Sequence, residues 1–297
     1  MSIINSVHSG CFAYIEWEDL LSKPHVQSLL DLAVDEDIGN GDVTTAAIFP
    51  EARSATAHVI SRVEGVVCGV PLATKLLRRF DPTAEINGSP CGTRLCAGDV
   101  VMQMRADVRA LLTAERCMLN FLMHLSGVAS ATRILVDMIP KECAAKIYDT
   151  RKTTPGWRLL EKAAVRAGGG ENHRMGLFDA VLIKDNHIAA AGSVCEALHR
   201  VALHARPGIV VQVEVDTCAQ LREALDAGAT LILLDNFTDE QLREAVSMTA
   251  GRAVLEASGG LQASRIADVA RTGVDRISVG AITHSAKPLD LSMEFLS

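Results

Sequence analysis

The chain has 297 residues, 48% of them apolar and 22% charged, with a formal net charge of −7. That length and apolar content provide for one large α/β domain, or two smaller ones, around a sizeable core. The acidic balance argues against nucleic acid as a partner, which needs a basic surface, and no segment reaches the roughly 18 apolar residues of a membrane span.

The cysteines Cys11, Cys68, Cys91, Cys96, Cys117, Cys143, Cys195 and Cys218 are scattered, without a CxxC pair or a Cys/His cluster at zinc spacing. Reduced core thiols are expected, with no metal or redox role at the closely spaced Cys91 and Cys96. The opening "MSIINSVHSG" has neither a basic region nor a long apolar core, which predicts a cytoplasmic protein rather than an exported one.

In chain order, the spacing predicts a helix in "PHVQSLLDLAVDEDI", a turn in "GNGDVTT" and an alternating strand over residues 55–62. Further strand-like pieces lie in "EGVVCGV" and "GDVVMQMRA", and together these make a compact α+β unit. A long amphipathic helix is predicted over residues 108–139, with Leu111, Leu112, Met118, Leu119, Leu122, Met123 and Leu125 at helical spacing. Gly127 is the expected break or kink in it.

Beyond that helix the chain becomes periodic. Six short Val- and Ile-rich runs each end in polar residues: "AAKIYDTRK", "AVLIKDNH", "IVVQVEVD", "TLILLDN", "AVLEASGG" and "RISVGAITH". Helical patterns such as "CAQLREALDAGA" and "DEQLREAVSMTA" fill gaps between them. The landmarks Thr150, Lys184, Glu214, Asp235, Glu256 and Gly280 are spaced by 34, 30, 21, 21 and 24 residues. Those are βα-unit lengths, so a parallel sheet is expected, with its polar residues gathered at the C-terminal strand ends. No GxGxxG turn follows any strand, which favours a barrel over an open dinucleotide-binding sheet.

The stretch "YDTRKTTPGW" leaves the first of these strands with two adjacent cations. Between Arg151 and Lys184 seven Lys/Arg stand against the three acids Glu161, Glu171 and Asp179, a cationic patch in an acidic chain that suits an anionic ligand. Arg158 and Lys162, at i,i+4 on a helix, are expected as solvated surface, and Arg166 as a last-turn cation before a C′ glycine at Gly168. Arg151, Lys152, His173, Arg174 and Lys184 remain to face a ligand.

The acids Glu214, Asp216, Asp235 and Glu256 fall at the ends of three consecutive strands. Carboxylates there suit Mg²⁺ or ribose hydroxyls, or a salt bridge to the cations, and Asp216 is expected to turn to the opposite face. Ser258, Gly259, Gly260 and Gly280 expose backbone N–H groups of the kind that bind phosphate. Together these features suggest a sugar-phosphate transfer to an acidic acceptor.

Residues 149–188, "DTRKTTPGWRLLEKAAVRAGGGENHRMGLFDAVLIKDNHI", resemble the signature block of the quinolinate phosphoribosyltransferase family. "EDIGNGDVTT", "TAERCMLNFLMHLSGVAS", "VEVD", "LLDNF", "LEASGG" and "GVDRISVGAITHSAKPLDLSMEF" resemble further family blocks in family order. Ala257 and Trp157 are departures that remove no charge.

The resemblance implies an N-terminal α/β sandwich over residues 1–116, rejoined by residues 286–297, and an open parallel α/β barrel of about six strands over 117–285. It implies a phosphoribosyl transfer from phosphoribosyl pyrophosphate to quinolinate with decarboxylation, and a homodimer in which Arg116, otherwise read as helix surface, is donated across the interface. The quinolinate site would then comprise Arg116, Arg151, His173, Arg174 and Lys184. Lys152, Glu214 and Asp235 would act on phosphoribosyl pyrophosphate or its Mg²⁺, with Glu214 and Asp235 as metal ligands. Ser258, Gly259, Gly260, Gly280 and His284 would form a phosphate rim. Competing readings are a barrel with Lys184 as a Schiff-base amine, a family member with another acceptor, and a non-catalytic binder of pyridine carboxylates or phosphosugars.

Overall fold

The structure is a computed structural model and describes residues 16–296. Cys11 and the opening segment read above for export lie outside the described residues. Two compact units result: residues 134–152 and 170–281 form one, and residues 16–133, 153–169 and 282–296 the other.

The second unit holds an antiparallel sheet. Its strands are β1 (Ser54–Ser61), β3 (Glu85–Gly88), β5 (Val100–Asp107) and β12 (Leu291–Phe295), in the order β12-β1-β5-β3. A separate pair joins β2 (Gly65–Val66) to β4 (Arg94–Leu95). In β1 the alternation predicted from sequence buries Ala57, Val59 and Ser61, as one covered face requires. The "PHVQSLLDLAVDEDI" helix spans Pro24–Ile38, opened by Pro24 at a position where no amide hydrogen bond is lost.

The long helix runs unbroken over Val108–Asp137, so Gly127 is not a kink. A Cβ at Gly127 would lie 2.2 Å from the Lys287 carbonyl oxygen, so glycine is there to let the C-terminal backbone pass. By length and composition this helix could cross a membrane, but 56% of its most apolar stretch is buried within the fold, as in a core helix. The expected boundary between residues 116 and 117 falls inside it.

The other unit holds β6 (Lys146–Tyr148), β7 (Ala180–Ile183), β8 (Val210–Val215), β9 (Leu231–Asp235), β10 (Val254–Ser258) and β11 (Arg276–Ser278). All pairs are parallel, in the order β6-β11-β10-β9-β8-β7. Pairing of the first strand with the last is the connectivity of a barrel, left open here between β6 and β7. The segment after Gly169 covers the exposed edge of β6: Glu171 N–H donates to Ile147 O (2.8 Å) and Asp149 N–H to Glu171 O (3.1 Å). A paired edge presents no unsatisfied backbone groups.

Helices cross back over the sheet between strands. Thr217 and Thr238 cap Cys218–Asp226 and Asp239–Thr249 just after β8 and β9, each accepting from a backbone N–H. The chain therefore turns sharply at the C-terminal strand ends.

Candidate active site

The cleft at those strand ends measures about 470 Å³ and gathers Thr150, Arg151, Lys152, His173, Arg174, Lys184, Glu214, Asp235, Glu256, Ser258, Gly259 and Gly260. Ten of the predicted site residues thus meet in one place, although they come from six segments. Gly280 lies two residues beyond β11 and is not among the lining residues. Arg116 and His284 belong to the other unit, where Arg116 is exposed on the long helix.

Asp149 organises the cationic end. Fully buried, it accepts hydrogen bonds from Asn172 Nδ2 and from the backbone N–H of His173, each at 2.7 Å. A carboxylate with two donors is held in place, and it ties "DTRK" to "ENHR". The Lys152 N–H donates to Thr150 Oγ1 at 3.0 Å, a local turn that carries Arg151 and Lys152 off the strand.

Arg174 is 5% exposed, and its Nη1 donates to Ala180 O at 3.1 Å. Its Nε is buried without a hydrogen-bond partner among the described residues. Burial, and then the charge of Arg151, lower its pKa. An under-satisfied guanidinium beside a second one is a site prepared for an anion.

The acidic end faces it. Lys184 Nζ lies 3.3 Å from Glu214 Oε2. Burial nevertheless raises the Glu214 carboxyl pKa, with Lys184 opposing and Asp235 adding to the rise. Burial also raises Asp235, followed by the charge of Asp216, while Lys184 and Lys152 oppose it. Asp216 sits exposed just past β8 and is not among the residues that line the cleft. Among the described residues no three His, Cys, Asp or Glu side chains cluster as a metal cage.

Gly259 has φ +99°, and a Cβ there would meet Asn236 Oδ1 at 2.2 Å and its backbone N at 2.6 Å. Gly260 has φ +56° and faces open space. The Asn236 N–H donates to Ser258 O (3.0 Å) and its Nδ2 to Asp235 Oδ2 (2.7 Å), so the glycine turn and the acid of the neighbouring strand are packed as one piece.

Several expectations require correction. Lys162 is fully buried, as is Glu161, so the helix Arg158–Ala167 turns its middle inward rather than to water. The left-handed glycine after it is Gly169 (φ +86°), because Gly168 is right-handed and pressed against the long helix, where a Cβ would approach Ala129 O to 2.4 Å. Among the described cysteines Cys68 and Cys117 are buried core thiols, Cys91, Cys143 and Cys218 are half-buried, and Cys96 and Cys195 are exposed. Sequence reasoning missed Gln212, Asn236 and Ser278. Gln212 carried a signal: a polar residue inside the apolar run "VVQVEV", two positions before Glu214.

Residues 42–126 match the family profile of the quinolinate phosphoribosyl transferase N-terminal domain, and residues 128–294 that of its C-terminal domain. The chain belongs to the quinolinate phosphoribosyltransferase family. It is 44% identical to the nicotinate-nucleotide pyrophosphorylase [carboxylating] of Mycobacterium leprae, over 88% of this chain and 94% of that one. It is 37% identical to a quinolinate phosphoribosyltransferase [decarboxylating] of Nicotiana glauca, over 93% and 86%. The solved nicotinate-nucleotide pyrophosphorylase of Francisella tularensis superposes with a TM-score of 0.87 at 41% identity, covering 92% of this chain and 96% of that one. The six-stranded open barrel and the separate antiparallel sheet are thus the quinolinate phosphoribosyltransferase fold.

Proposed function

We propose that the chain transfers the phosphoribosyl group of 5-phosphoribosyl 1-pyrophosphate to quinolinate, releasing pyrophosphate and CO₂ and forming nicotinate mononucleotide for NAD biosynthesis. The observation that carries this is the division of one cleft into a cationic end, with the under-satisfied Arg174 beside Arg151, and an acidic end of Glu214 and Asp235.

Quinolinate has carboxylates on adjacent ring carbons. Arg151, Arg174 and Lys184 supply planar and point cations to hold both and to aim the ring nitrogen at C1 of the ribose. As the C1–oxygen bond to pyrophosphate breaks, positive charge develops on the ribose, and the carboxylates of Glu214 and Asp235 stabilise it or hold the ribose hydroxyls. Glycosylation leaves the ring nitrogen cationic. The electron pair left at C2 by departing CO₂ is stabilised by that adjacent charge and then takes up a proton. Positioning and electrostatics suffice, and no covalent enzyme intermediate is required.

Lys152 and the turn Ser258–Gly260 face the phosphates in this reading. Glu214 and Asp235 would hold Mg²⁺. Two carboxylates whose charges are disfavoured by burial and neighbouring acids fit a cation that takes its remaining ligands from phosphate and water. Bound there, Mg²⁺ would neutralise the leaving pyrophosphate. Gly280, just past β11, would extend the phosphate rim, and Arg116 reaches a neighbouring protomer's quinolinate in a cytoplasmic homodimer; the exposure of Arg116 supports that reading.

The test is purified protein with phosphoribosyl pyrophosphate, Mg²⁺ and either quinolinate or nicotinate, followed for CO₂ and nicotinate mononucleotide. Product and CO₂ from quinolinate alone are expected. Turnover with nicotinate would show that the second carboxylate is not read, and no turnover in either tube would reject the reading.

A further inference from the structure

A polar chain runs from His173 at the cleft wall through buried Gln212 to Glu256 and Ser278, and the proposed reaction assigns no step to it. The Arg174 backbone N–H donates to His173 Nδ1 at 2.8 Å. A ring nitrogen that accepts from an amide carries no proton, so in the neutral imidazole the proton sits on Nε2. His173 Nε2 lies 2.9 Å from Gln212 Oε1, and Gln212 Nε2 donates to Glu256 Oε2 at 2.9 Å. Ser278 Oγ donates to the other oxygen, Glu256 Oε1.

Glu256 dictates the direction of this chain. Its carboxylate is 0% exposed, with the Arg276 guanidinium 4.0 Å away and His173 Nε2 at 3.6 Å. The Gln212 amide turns its NH₂ towards Glu256 and so its carbonyl towards His173. Gln212 in β8 reaches Glu256 in β10 across the intervening β9. Strands two apart lie about 10 Å from each other in a flat sheet, so the contact exists because the sheet curls around it. A buried carboxyl group in that position is costly unless hydrogen-bonded, and here its partners lead to His173 at the cleft wall.

We infer that Gln212 and Glu256 are positioning residues for the acceptor site: they hold His173 in one ring orientation and one tautomer, with both ring nitrogens engaged inside the protein. The imidazole then presents its carbon edge and face to the ligand, and the carboxylates of the acceptor are left to Arg151, Arg174 and Lys184. The inference rests on the proposed function for the identity of the acceptor, but the state of His173 is independent of it.

The experiment is ¹⁵N-histidine NMR of the full chain at about pH 8, where an ordinary imidazole is neutral, with the His173 signals assigned by their loss in His173→Asn. Steady-state kinetics of Gln212→Met and Glu256→Gln accompany it. In the unmodified protein the proton is expected on Nε2, protected from exchange. Gln212→Met should remove that protection and raise KM for quinolinate about tenfold or more, the effect of one lost buried hydrogen bond, with KM for phosphoribosyl pyrophosphate unchanged within about twofold. Glu256→Gln offers the Gln212 amide either an oxygen or an NH₂, so the sense of that amide is no longer fixed, and both readouts should shift as in Gln212→Met but by less.

A proton on Nδ1 in the unmodified protein overturns the inference, whether or not the variants fold. So does a Gln212→Met protein that raises both KM values alike, or that retains the protected imidazole proton. If the unmodified protein does not turn over quinolinate, the proposed function falls, and the imidazole signals still decide the role of Gln212.

Discussion

Lys184 at the end of β7 and Glu214 within β8 stand 3.3 Å apart, yet the Glu214 carboxyl pKa is raised. Desolvation outweighs its cation, and the acid charge is held against the stability of the ligand-free protein. The folded pKa lies above the unfolded value, so ionised Glu214 is a penalty at neutral pH that disappears as pH falls below its ordinary value of 4.5. Glu214→Gln should therefore raise Tm at pH 7 by about 1–3 °C, with the difference vanishing near pH 4, while abolishing most turnover. A Tm lower than wild type at pH 7 would show that the Lys184 pair, not burial, dominates.

Arg151 and Arg174 share the cationic end of the cleft, where burial, and then the charge of Arg151, lower the pKa of Arg174. Arg151→Ala should cost about 2–5 kcal/mol in kcat/KM for quinolinate, as for one partner of a desolvated charge pair. Unchanged kcat/KM would remove Arg151 from the site.

Gly259 and Gly260 both have positive φ, but only Gly259 is crowded, by Asn236. Gly259→Ala should lower stability by about 2–3 kcal/mol and weaken phosphoribosyl pyrophosphate binding, because Asn236 also holds Asp235. Gly260→Ala should cost about 1–2 kcal/mol, the conformational part alone. Equal losses in denaturant titrations would contradict the close-approach argument.

Glu161 is fully buried and accepts from His124 Nε2 (2.9 Å) and from the Thr154 N–H (3.0 Å). His124 stands edge-on to Trp157, whose ring stacks on Phe121 at 4.7 Å. Glu161→Ala removes the acceptor that ties exposed Thr154 and half-buried His124 to the helix interior and should destabilise the chain by about 1–2 kcal/mol in urea unfolding. A loss below about 0.5 kcal/mol would mean that water replaces the carboxylate.

Burial raises the Cys68 thiol, whereas a hydrogen bond from Cys68 lowers Cys91 to about 7, aided by the Gly69 N–H at 3.4 Å. Alkylation of Cys91 should rise with pH through a midpoint near that value, and Cys68→Ala should move the midpoint upward. A wild-type profile without a rise between pH 6 and 8 would contradict the pairing.

Local pattern determined much of this protein. Period two in "SATAHVIS" and the recurrence of Val/Ile runs ending in Thr150, Lys184, Glu214, Asp235 and Glu256 were readable because alternation and βα spacing are properties of neighbouring residues. Strand direction then placed the cations and acids at one end of the sheet without knowledge of their contacts. The chain order could not show that Lys162 is inside, that Gly127 admits a returning backbone, or that Gln212 meets Glu256 across β9. Those depend on curvature and on pairing between residues tens of positions apart. Only the tertiary structure decided which polar residues line the cleft and which are buried behind them, because burial and hydrogen-bond direction are set by what folds against a residue rather than by what precedes it.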